Sequence, residues 1–464
     1  RDTVDRSQIE RVCGMLFSSF EFLFRFLPVF LVIYYLTPKK FRNVTLLGGS
    51  IVFYTIGEAG YITILLACVL VNYTLTRLMY RKNTDGRGIR QKRLLLLALG
   101  YDLGVLFFFK YSGLASGLPL GISFYTFQIM AYVIDVYRGR IPAEQSLLRL
   151  GTYLTMFPQL ISGPITNYAD VRVALGRERT IKARQLEEGM KLLIIGLAAK
   201  VVIADRIGTL WNSIRMIGFD SISTKLAWMG AFAYSLQLYF DFAGYSMMAR
   251  GIGKMLGFEL PVNFRYPYIS KSVTEFWRRW HITLGRWFRE YVYIPLGGNR
   301  KGNAWTFFNL LIVWVVTGMW HGSTINFPLW GLILFVFIAL ERFVIRNFLE
   351  KHGWLAHLYI WFVIPLTWVV FAITKLSDLK VYFARLFPFF GTGIAVNAGD
   401  YLKYGRTYGV FFLLAFVVSL PFMDKILKKC WKKWWMKAIL FVVLWICIYQ
   451  IANGLNNPFM YFSF

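Results

Sequence analysis

Two histidines are the residues of this chain whose type and position point most directly to chemistry. His321 lies in an apolar run from Trp305 to Leu340, and His281 lies among arginines in the segment before this run. An ionisable side chain at membrane depth is costly, because hydrocarbon offers no water to hydrogen-bond it, and it is usually functional. A neutral imidazole can accept a proton from a hydroxyl group. The position of His321 therefore predicts a role in proton transfer, with a structural histidine bonded to a neighbouring helix as the alternative.

The segment around His281 has two unlike faces when it is projected on a helix at about 100° per residue. One third of the circumference carries charged side chains, namely Glu275, Arg278, Arg279, Arg286, Arg289 and Glu290. The opposite face carries apolar and aromatic side chains, namely Phe276, Trp277, Trp280, Leu284, Trp287, Phe288 and Tyr291. Such a segment is too charged to cross a bilayer and too apolar on one side to lie in water. It is predicted to form a helix at the membrane interface or wedged among other helices, with His281 at the border between the two faces.

The composition of the 464-residue chain, with 57% apolar and 19% aromatic residues, is that of a polytopic membrane protein. The net charge of +28 is carried by short basic blocks between apolar segments. Cytoplasmic loops of membrane proteins concentrate lysine and arginine in this way, whereas a nucleic-acid-binding protein needs a continuous basic face. Nucleic acid is therefore not expected as a partner. The four cysteines form no CxxC pair, so neither a disulfide framework nor a metal site is expected.

Hydropathy and turn residues predict an all-α polytopic membrane protein. Allowing roughly 20 residues per crossing, we expect about 11 or 12 transmembrane or re-entrant helices. One of these segments, Leu147 to Thr166, carries Pro158, Gly163 and Pro164 in an apolar background, which predicts a broken or re-entrant piece buried in protein. His352 and His357 lie beside a break between two apolar segments and are predicted to be loop residues.

The chain divides into three parts. Residues 1–14 are polar and are predicted to be an N-terminal extension or an expression remnant, and residues 15–453 are predicted to form one transmembrane domain. The strongly basic stretch Lys425 to Lys437 is expected on the cytoplasmic side, which places the aromatic tail 454–464 outside the cytoplasm. Tyr461 lies in this tail, where an interfacial anchor is one interpretation.

Asp241 is a lone carboxylate in the apolar segment LYFDFAGYS. A carboxylate in that setting should be paired or neutral, and Arg250 or a residue of the basic helix is the expected partner. Structural pairing is favoured over catalysis, because no histidine is adjacent in sequence for the carboxylate to orient. An orienting or oxyanion role stays open for Asp241 and for Asn326, a polar residue shortly after His321.

Several motifs resemble those of the membrane-bound O-acyltransferase family, and the likeness extends from about Met15 to the C-terminus. The most specific are WRRWH at 277–281, YIPLGGNR at 293–300 and WHG at 320–322. The bacterial branch that contains the alginate O-acetylation protein AlgI, the peptidoglycan O-acetylation protein PatA and the teichoic-acid D-alanylation protein DltB is the most similar. The resemblance implies helices around a central funnel or pore in the bacterial inner (cytoplasmic) membrane. It also implies that His321 is catalytic and that His281 supports it.

The same resemblance implies that an acyl group, most simply acetyl, passes across the membrane from a cytoplasmic thioester, either acetyl-CoA or an acyl carrier protein. Tyr461 would carry the acyl group, since a phenol with a pKa near 10 is easier to deprotonate than a sugar hydroxyl. An extracellular SGNH or esterase-like partner would then acylate a polysaccharide. Candidates for binding the donor, with anionic membrane lipids as the alternative ligand, are Arg278, Arg279, Arg286, Arg289, Arg300 and Lys301.

Two other functions stay open. D-alanyl transfer to teichoic acids from a carrier protein would use the same type of enzyme, although IPLGGNR and the fused tyrosine tail resemble the O-acetylation members more. A transporter or channel with an intramembrane histidine and carboxylate gate would need corresponding short or broken spans in two halves, and the sequence has no such internal symmetry. A serine nucleophile is not expected, because no GxSxG elbow occurs.

Overall fold

The structure is a computed structural model that describes residues 15–80, 88–114, 117–390, 396–454 and 460. The predicted extension 1–14 and Tyr461 lie outside the described residues. Helices of the α, π and 3-10 types make up most of the described chain, and no strand occurs among these residues. The predicted all-α fold is therefore confirmed. Two compact units can be separated within it, one formed by the described residues up to Ile195 with Tyr245–Val262, the other by Gly196–Gly244 with Asn263–Met460.

The described part of the first unit contains nine α-helices besides the final turns of a helix that begins in the second unit, and the last of the nine continues into the second unit. In chain order they are α1 (Leu27–Leu36), α2 (Arg42–Glu58), α3 (Ile62–Met79), α4 (Ile89–Tyr111), α5 (Ile122–Tyr137), α6 (Leu147–Thr155), α7 (Phe157–Leu160), α8 (Tyr168–Gly176) and α9 (Ala183–Ala198). The predicted broken segment is confirmed, since α6 ends at Thr155 and the chain from 151 to 168 is buried throughout. A Cβ at Gly163 would lie 2.5 Å from the Cα of Gln159, so only glycine lets the chain fold back here.

The second unit holds the two histidines. Its helices in chain order are α10 (Asp205–Ile217), α11 (Thr224–Met255, whose last turns belong to the first unit), α12 (Val273–Arg279), α13 (Ile282–Phe288), α14 (Asn303–His321), α15 (Asn326–Leu340), α16 (Arg346–Lys351), α17 (Gly353–Ala372), α18 (Leu376–Leu386), α19 (Asp400–Val418), α20 (Phe422–Cys430) and α21 (Trp434–Ala452). Because α17 begins at Gly353, His357 lies inside a helix, and its prediction as a loop residue is wrong.

Six helical segments of the described chain are long and apolar enough to cross a membrane, and a seventh counts if α19 and α20, bent by 77°, form one span. They are Lys39–Met79, Ile89–Tyr111, Asn303–His321, Asn326–Lys351, Gly353–Ala372 and Trp434–Ala452. The remaining predicted crossings fall on helices that are short, broken or less apolar, such as α1, the α6 and α7 pair, and α11. Helices of this kind are tolerated at membrane depth only where protein surrounds them.

Close backbone packing joins α14 and α15 into a hairpin. A Cβ at Gly318 would collide with the backbone carbonyl of Phe327, and one at Gly331 would collide with that of Trp314. Small residues at such crossings allow membrane helices to approach each other. The hairpin therefore places His321, the last residue of α14, beside the first turn of α15.

Candidate functional site

His321 lies among aromatic rings that contact it edge to face. The ring centroids of Trp320, Trp330 and Phe371 are 4.9, 5.1 and 5.2 Å from that of the imidazole, with interplanar angles near perpendicular. Aromatic pairs favour this geometry, and it fixes the plane of the smaller ring. His321 as a whole residue is 7% exposed, so the rings exclude most water from its surroundings.

Gly322 follows His321 for a packing reason. A Cβ at Gly322 would collide with the ring of Phe327, while the backbone of Gly322 is ordinary extended chain with a φ of −167°. The Phe327 ring also packs on Phe371 at a centroid distance of 4.9 Å. The WHG motif thus lets Phe327 close over the turn and hold in place one of the rings that contact His321.

The second histidine is also buried, which corrects the prediction that it lies at the border between a charged and an aromatic face at the membrane interface. His281 is 1% exposed, and its Nδ1 lies 3.1 Å from Oδ1 of Asn263. The same Asn263 oxygen accepts hydrogen bonds from the backbone N–H and the hydroxyl of Thr283, at 3.2 and 2.9 Å. Because a backbone N–H can only donate, the Asn263 atom is the amide oxygen and Nδ1 of His281 carries the ring proton. Nε2 is then the basic nitrogen.

Burial lowers the pKa of His281 to about 3, because the low-dielectric surroundings disfavour the charged ring. The imidazole is therefore neutral at physiological pH. A neutral ring whose Nδ1–H is fixed by Asn263 presents Nε2 in a defined direction. This is the state that a hydrogen-bond acceptor or a base requires.

The single helix predicted across His281 is wrong, because the helix breaks there. α12 ends at Arg279, α13 begins at Ile282, and His281 between them has a left-handed φ of 43°. The backbone N–H of Arg265 donates to the Arg279 carbonyl, and that of Ile282 donates to the Asn263 carbonyl, both at 2.9 Å. The backbone near Asn263 thus forms hydrogen bonds with the backbone on both sides of the break. Helical periodicity cannot reveal such a contact between distant segments.

A distant carboxylate holds the start of α12. Glu341, at the end of α15, accepts hydrogen bonds from the backbone N–H groups of Val273 and Thr274. The side chain of Ser272 accepts a further bond from the N–H of Glu275 at 2.9 Å. These bonds satisfy N–H groups that a helix start leaves without partners, and a negative charge there is favourable. α12 is thereby tied to the hairpin that carries His321.

Trp320 contacts both histidines. Its ring centroid lies 4.9 Å from that of His321 and 6.3 Å from that of His281. Phe242 of α11 packs perpendicular to the His281 ring at 4.8 Å. The fold therefore brings two histidines from separate segments to one indole ring.

A cavity of about 180 Å³ adjoins His281. Its polar lining residues are His281, Arg289, Tyr293 and Thr317. The rest of its wall is mainly apolar, with Trp277, Trp280, Leu284, Gly285, Phe288, Leu310, Val313 and Trp314. His321 does not line the cavity, although Thr317, one turn earlier on α14, does. A space of this size suits a small acyl group and the end of its thioester chain better than a whole nucleotide.

The predicted basic face is not carried by one continuous helix, because the helix is interrupted at His281. Arg289 is exposed and lines the cavity, whereas Arg279 is paired with Glu275 at 2.8 Å and lines a different pocket. Lys301 is exposed, with its ammonium 5.1 Å from the ring centroid of Trp305. The remaining donor candidates are exposed or half-buried, namely Arg278, Arg286 and Arg300.

Asn326 is fully buried, and both of its amide hydrogens are used. Its Nδ2 donates to the backbone carbonyls of Val370 and Phe371 at 3.2 and 2.9 Å, and its Oδ1 accepts from the Thr324 hydroxyl at 2.6 Å. This leaves no side-chain N–H of Asn326 for an oxyanion. Its contacts instead fit an orienting role, since Phe371 packs on His321.

The partner of Asp241 is Lys200, and the expectation of Arg250 or a residue of the basic helix is wrong. Lys200 Nζ lies 3.1 Å from Asp241 and 2.6 Å from Asp205, and all three side chains are at most 3% exposed. Lys200 lies in a π-helical turn, Ala199–Ala204, and Asp205 follows that turn directly. Arg250 donates instead to the carbonyl of Leu260.

Sequence reasoning missed Lys200 and Asn263 as parts of this unit. A signal for Lys200 was present, since a lysine five positions before Asp205 interrupts an apolar run. Asn263 carried no such signal, because an asparagine between apolar segments is ordinary. Its importance comes only from the hydrogen bond to His281.

Comparison with known sequences identifies one matching family and several relatives of this chain. Residues 51–377 match the sequence profile of the membrane-bound O-acyltransferase family, MBOAT. The chain is 36% identical over 399 residues to the probable alginate O-acetylase AlgI of Pseudomonas putida, and the match covers 81% of each chain.

Two further relatives carry other names. The chain is 33% identical over 429 residues to the peptidoglycan O-acetyltransferase of Helicobacter pylori, covering 80% of each chain. It is 31% identical over 248 residues to the teichoic acid D-alanyltransferase of Bacillus subtilis, covering 51% of this chain and 62% of the relative.

Proposed function

We propose, for a chain that belongs to the membrane-bound O-acyltransferase family, that it passes an acetyl group from a cytoplasmic thioester to an extracellular O-acetylation partner. The chain is a multi-pass membrane O-acyltransferase; the donor, the route and the acceptor are the proposed parts. The observation that carries the proposal is the contact of both histidines with Trp320, together with a cavity that His281 and the exposed Arg289 both line.

The donor enters the cavity from the end at which Arg289 lies. An arginine there can bind a phosphate of coenzyme A or an acidic group of a carrier protein through charge-assisted hydrogen bonds. The apolar wall then accommodates the thioester end, whose carbonyl carbon reaches the neighbourhood of His281. Exclusion of water from this wall protects the thioester from hydrolysis.

His321 acts as the general base for the acceptor hydroxyl. Its imidazole takes the hydroxyl proton as the oxygen attacks the thioester carbonyl carbon, the C–S bond breaks, and the leaving thiolate receives that proton. His281 and Trp320 position the reacting groups. The neutral imidazole suits this role, because its basic ring nitrogen can accept a proton.

The acceptor that relays the acyl group is Tyr461, which lies outside the described residues. The chain lies in a bacterial inner membrane. An extracellular SGNH or esterase-like partner takes the acetyl group from this phenol and transfers it to a polysaccharide. The longer and more complete matches are to an alginate O-acetylase and a peptidoglycan O-acetyltransferase, whereas the match to the D-alanyltransferase covers 51% of the chain. This difference favours acetyl over D-alanyl as the transferred group.

The test uses cells that express the full chain with its extracellular partner. Two quantities are measured, the O-acetyl content of the polysaccharide and the mass of the C-terminal peptide that contains Tyr461. The wild type should show an added acetyl group on a fraction of this peptide. His321→Ala should lower both quantities by about a hundredfold or more, the usual contribution of a general base.

Two variants complete the design. His352→Ala serves as the control and should retain activity, because His352 is exposed and precedes α17. Tyr461→Phe should abolish polymer acetylation while leaving the protein folded. Unchanged acetylation in His321→Ala would remove His321 from the chemistry, and unchanged acetylation in Tyr461→Phe would remove the relay. A peptide heavier by a D-alanyl group would replace acetyl by D-alanyl.

A further inference from the structure

A second pocket of the second unit takes no part in the proposed transfer. It has a volume of about 540 Å³, three times that of the cavity beside His281. Its lining residues are Tyr268, Ile269, Lys271, Glu275, Arg279, His357, Trp361, Phe416, Ser419, Leu420 and Pro421. They come from α12 and the chain just before it, the first half of α17 and the region from the last turn of α19 to the bend between α19 and α20. Neither His281 nor His321 is among them.

One wall of this pocket is apolar and belongs to a helix with an outward-facing apolar surface. Phe416 of α19 is 47% exposed, and Leu413, one turn earlier, is 65% exposed. Within the pocket, the ring of Phe416 lies 6.1 Å from that of Trp361, which in turn lies 5.1 Å from that of Tyr268. In a multi-pass membrane protein, exposed side chains of this type face lipid, so the apolar wall is continuous with the bilayer.

The pocket also carries three basic side chains. Lys271 is exposed, and His357 is half-buried on α17. Arg279 is paired with Glu275, whose second oxygen accepts the backbone N–H of Lys271 at 2.9 Å. After this pairing one fixed positive charge, that of Lys271, remains. It matches the single negative charge of a phosphodiester, and ammonium and imidazole N–H groups are both donors to phosphate oxygens.

The bend next to the pocket places a basic helix beside it. α20 begins directly after Pro421 and carries Lys425, Lys428 and Lys429, while its exposed apolar residues include Phe422 and Ile426. A short helix with one basic and one apolar face lies in the plane of the membrane interface, where anionic headgroups are found. The pocket thus opens at the depth of lipid headgroups.

We propose that this pocket binds an anionic phospholipid, with its phosphodiester at Lys271 and His357 and its acyl chains along Trp361 and Phe416. An apolar wall that is continuous with the bilayer favours a lipid over a soluble phosphate compound. The bound lipid braces α12 against α17 and the α19 to α20 bend, and it is separate from the acyl donor.

Binding is tested on the full chain purified into phosphatidylcholine nanodiscs, with and without phosphatidylglycerol. The lipids retained after extraction into detergent are identified by native mass spectrometry. The wild type should retain phosphatidylglycerol in preference to phosphatidylcholine. Lys271→Ala should lower this retention by about fivefold, which corresponds to the loss of one lysine–phosphate contact near a membrane surface. His357→Ala should lower it as well.

Lys429→Ala is the matched control, because it removes an exposed lysine from the neighbouring helix without touching the pocket. It should leave phosphatidylglycerol retention unchanged. Equal retention of the two lipids by the wild type, or an unchanged preference in Lys271→Ala, would overturn the proposal. Displacement of the lipid by coenzyme A or inorganic phosphate would instead identify a soluble phosphate site. None of these readouts depends on acyl transfer, so they are independent of the proposed activity.

Discussion

The carboxylate of Asp241 accepts a hydrogen bond from the backbone N–H of Met460 at 2.9 Å. The ammonium of Lys200 lies between Asp241 and Asp205, and the three charged side chains are almost fully buried. Met460 directly precedes Tyr461 in the sequence. The buried charge cluster therefore binds the backbone of the residue that directly precedes the proposed acyl carrier.

Lys200→Met should destabilise the protein more than Asp241→Asn. The first change leaves two buried carboxylates without their cation, at a cost of roughly 3–5 kcal/mol, whereas the second keeps the pair of Lys200 with Asp205. Thermal unfolding in detergent measures the difference. Lys191→Met is a suitable control, because its partner Glu187 is 41% exposed and can be solvated by water. Equal unfolding midpoints for Lys200→Met and the control would contradict a stabilising role for the cluster.

The stability of the protein should fall as the pH falls from about 6.5 to about 3, in part because of His281. Burial lowers the folded-state pKa of His281 from 6.5 to about 3, so in this window the unfolded chain binds a proton that the folded chain does not. The contribution of His281 is present above pH 6.5 and is lost at up to about 1.4 kcal/mol per pH unit below it.

The check is the pH dependence of the unfolding midpoint in the wild type and in His281→Gln. Glutamine does not titrate, so the variant should have a flatter profile between pH 6.5 and pH 4, whatever its stability at neutral pH. Identical slopes for the two proteins would mean that folding does not lower the pKa of His281.

Gly322→Ala should impair both folding and acyl transfer. Its Cβ would collide with the ring of Phe327, which must shift and carry Phe371 away from His321. Overpacking of this kind costs typically about 1–3 kcal/mol. Gly100→Ala in α4 is the matched control, since its Cβ would meet nothing within 4 Å and alanine favours a helix. Polymer acetylation and the amount of folded protein should fall only in Gly322→Ala.

Arg289→Ala should raise the KM for the acyl donor by about tenfold, the equivalent of ~1.4 kcal/mol for a lost charge-assisted contact, with kcat little changed. Arg289 is the one exposed arginine that lines the cavity beside His281, as far as the described chain shows. The control variant is Arg346→Ala. It removes an exposed arginine that is paired with Glu350 and does not line the cavity. A drop in kcat at unchanged KM would place Arg289 in the chemical step and not in donor binding.

The sequence by itself determined the fold class and the membrane setting, and it predicts a role for His321. These properties depend on composition and on local patterns, such as the apolar run around His321 and the prolines that break the segment from Leu147 to Thr166. The structure and the family match confirm the all-α membrane fold and the O-acyltransferase family. Local patterns predict these properties because every segment in the low-dielectric membrane must satisfy its backbone hydrogen bonds within the protein.

Only the tertiary structure decided how the polar residues of the second unit are used. The burial of His281, its hydrogen bond to Asn263 and the break of the helix around it arise from a segment that is separate in sequence. The pairing of Asp241 with Lys200 has the same origin. Each depends on which distant backbone or charge arrives at the site, and a helical projection of one segment contains no information about its neighbours.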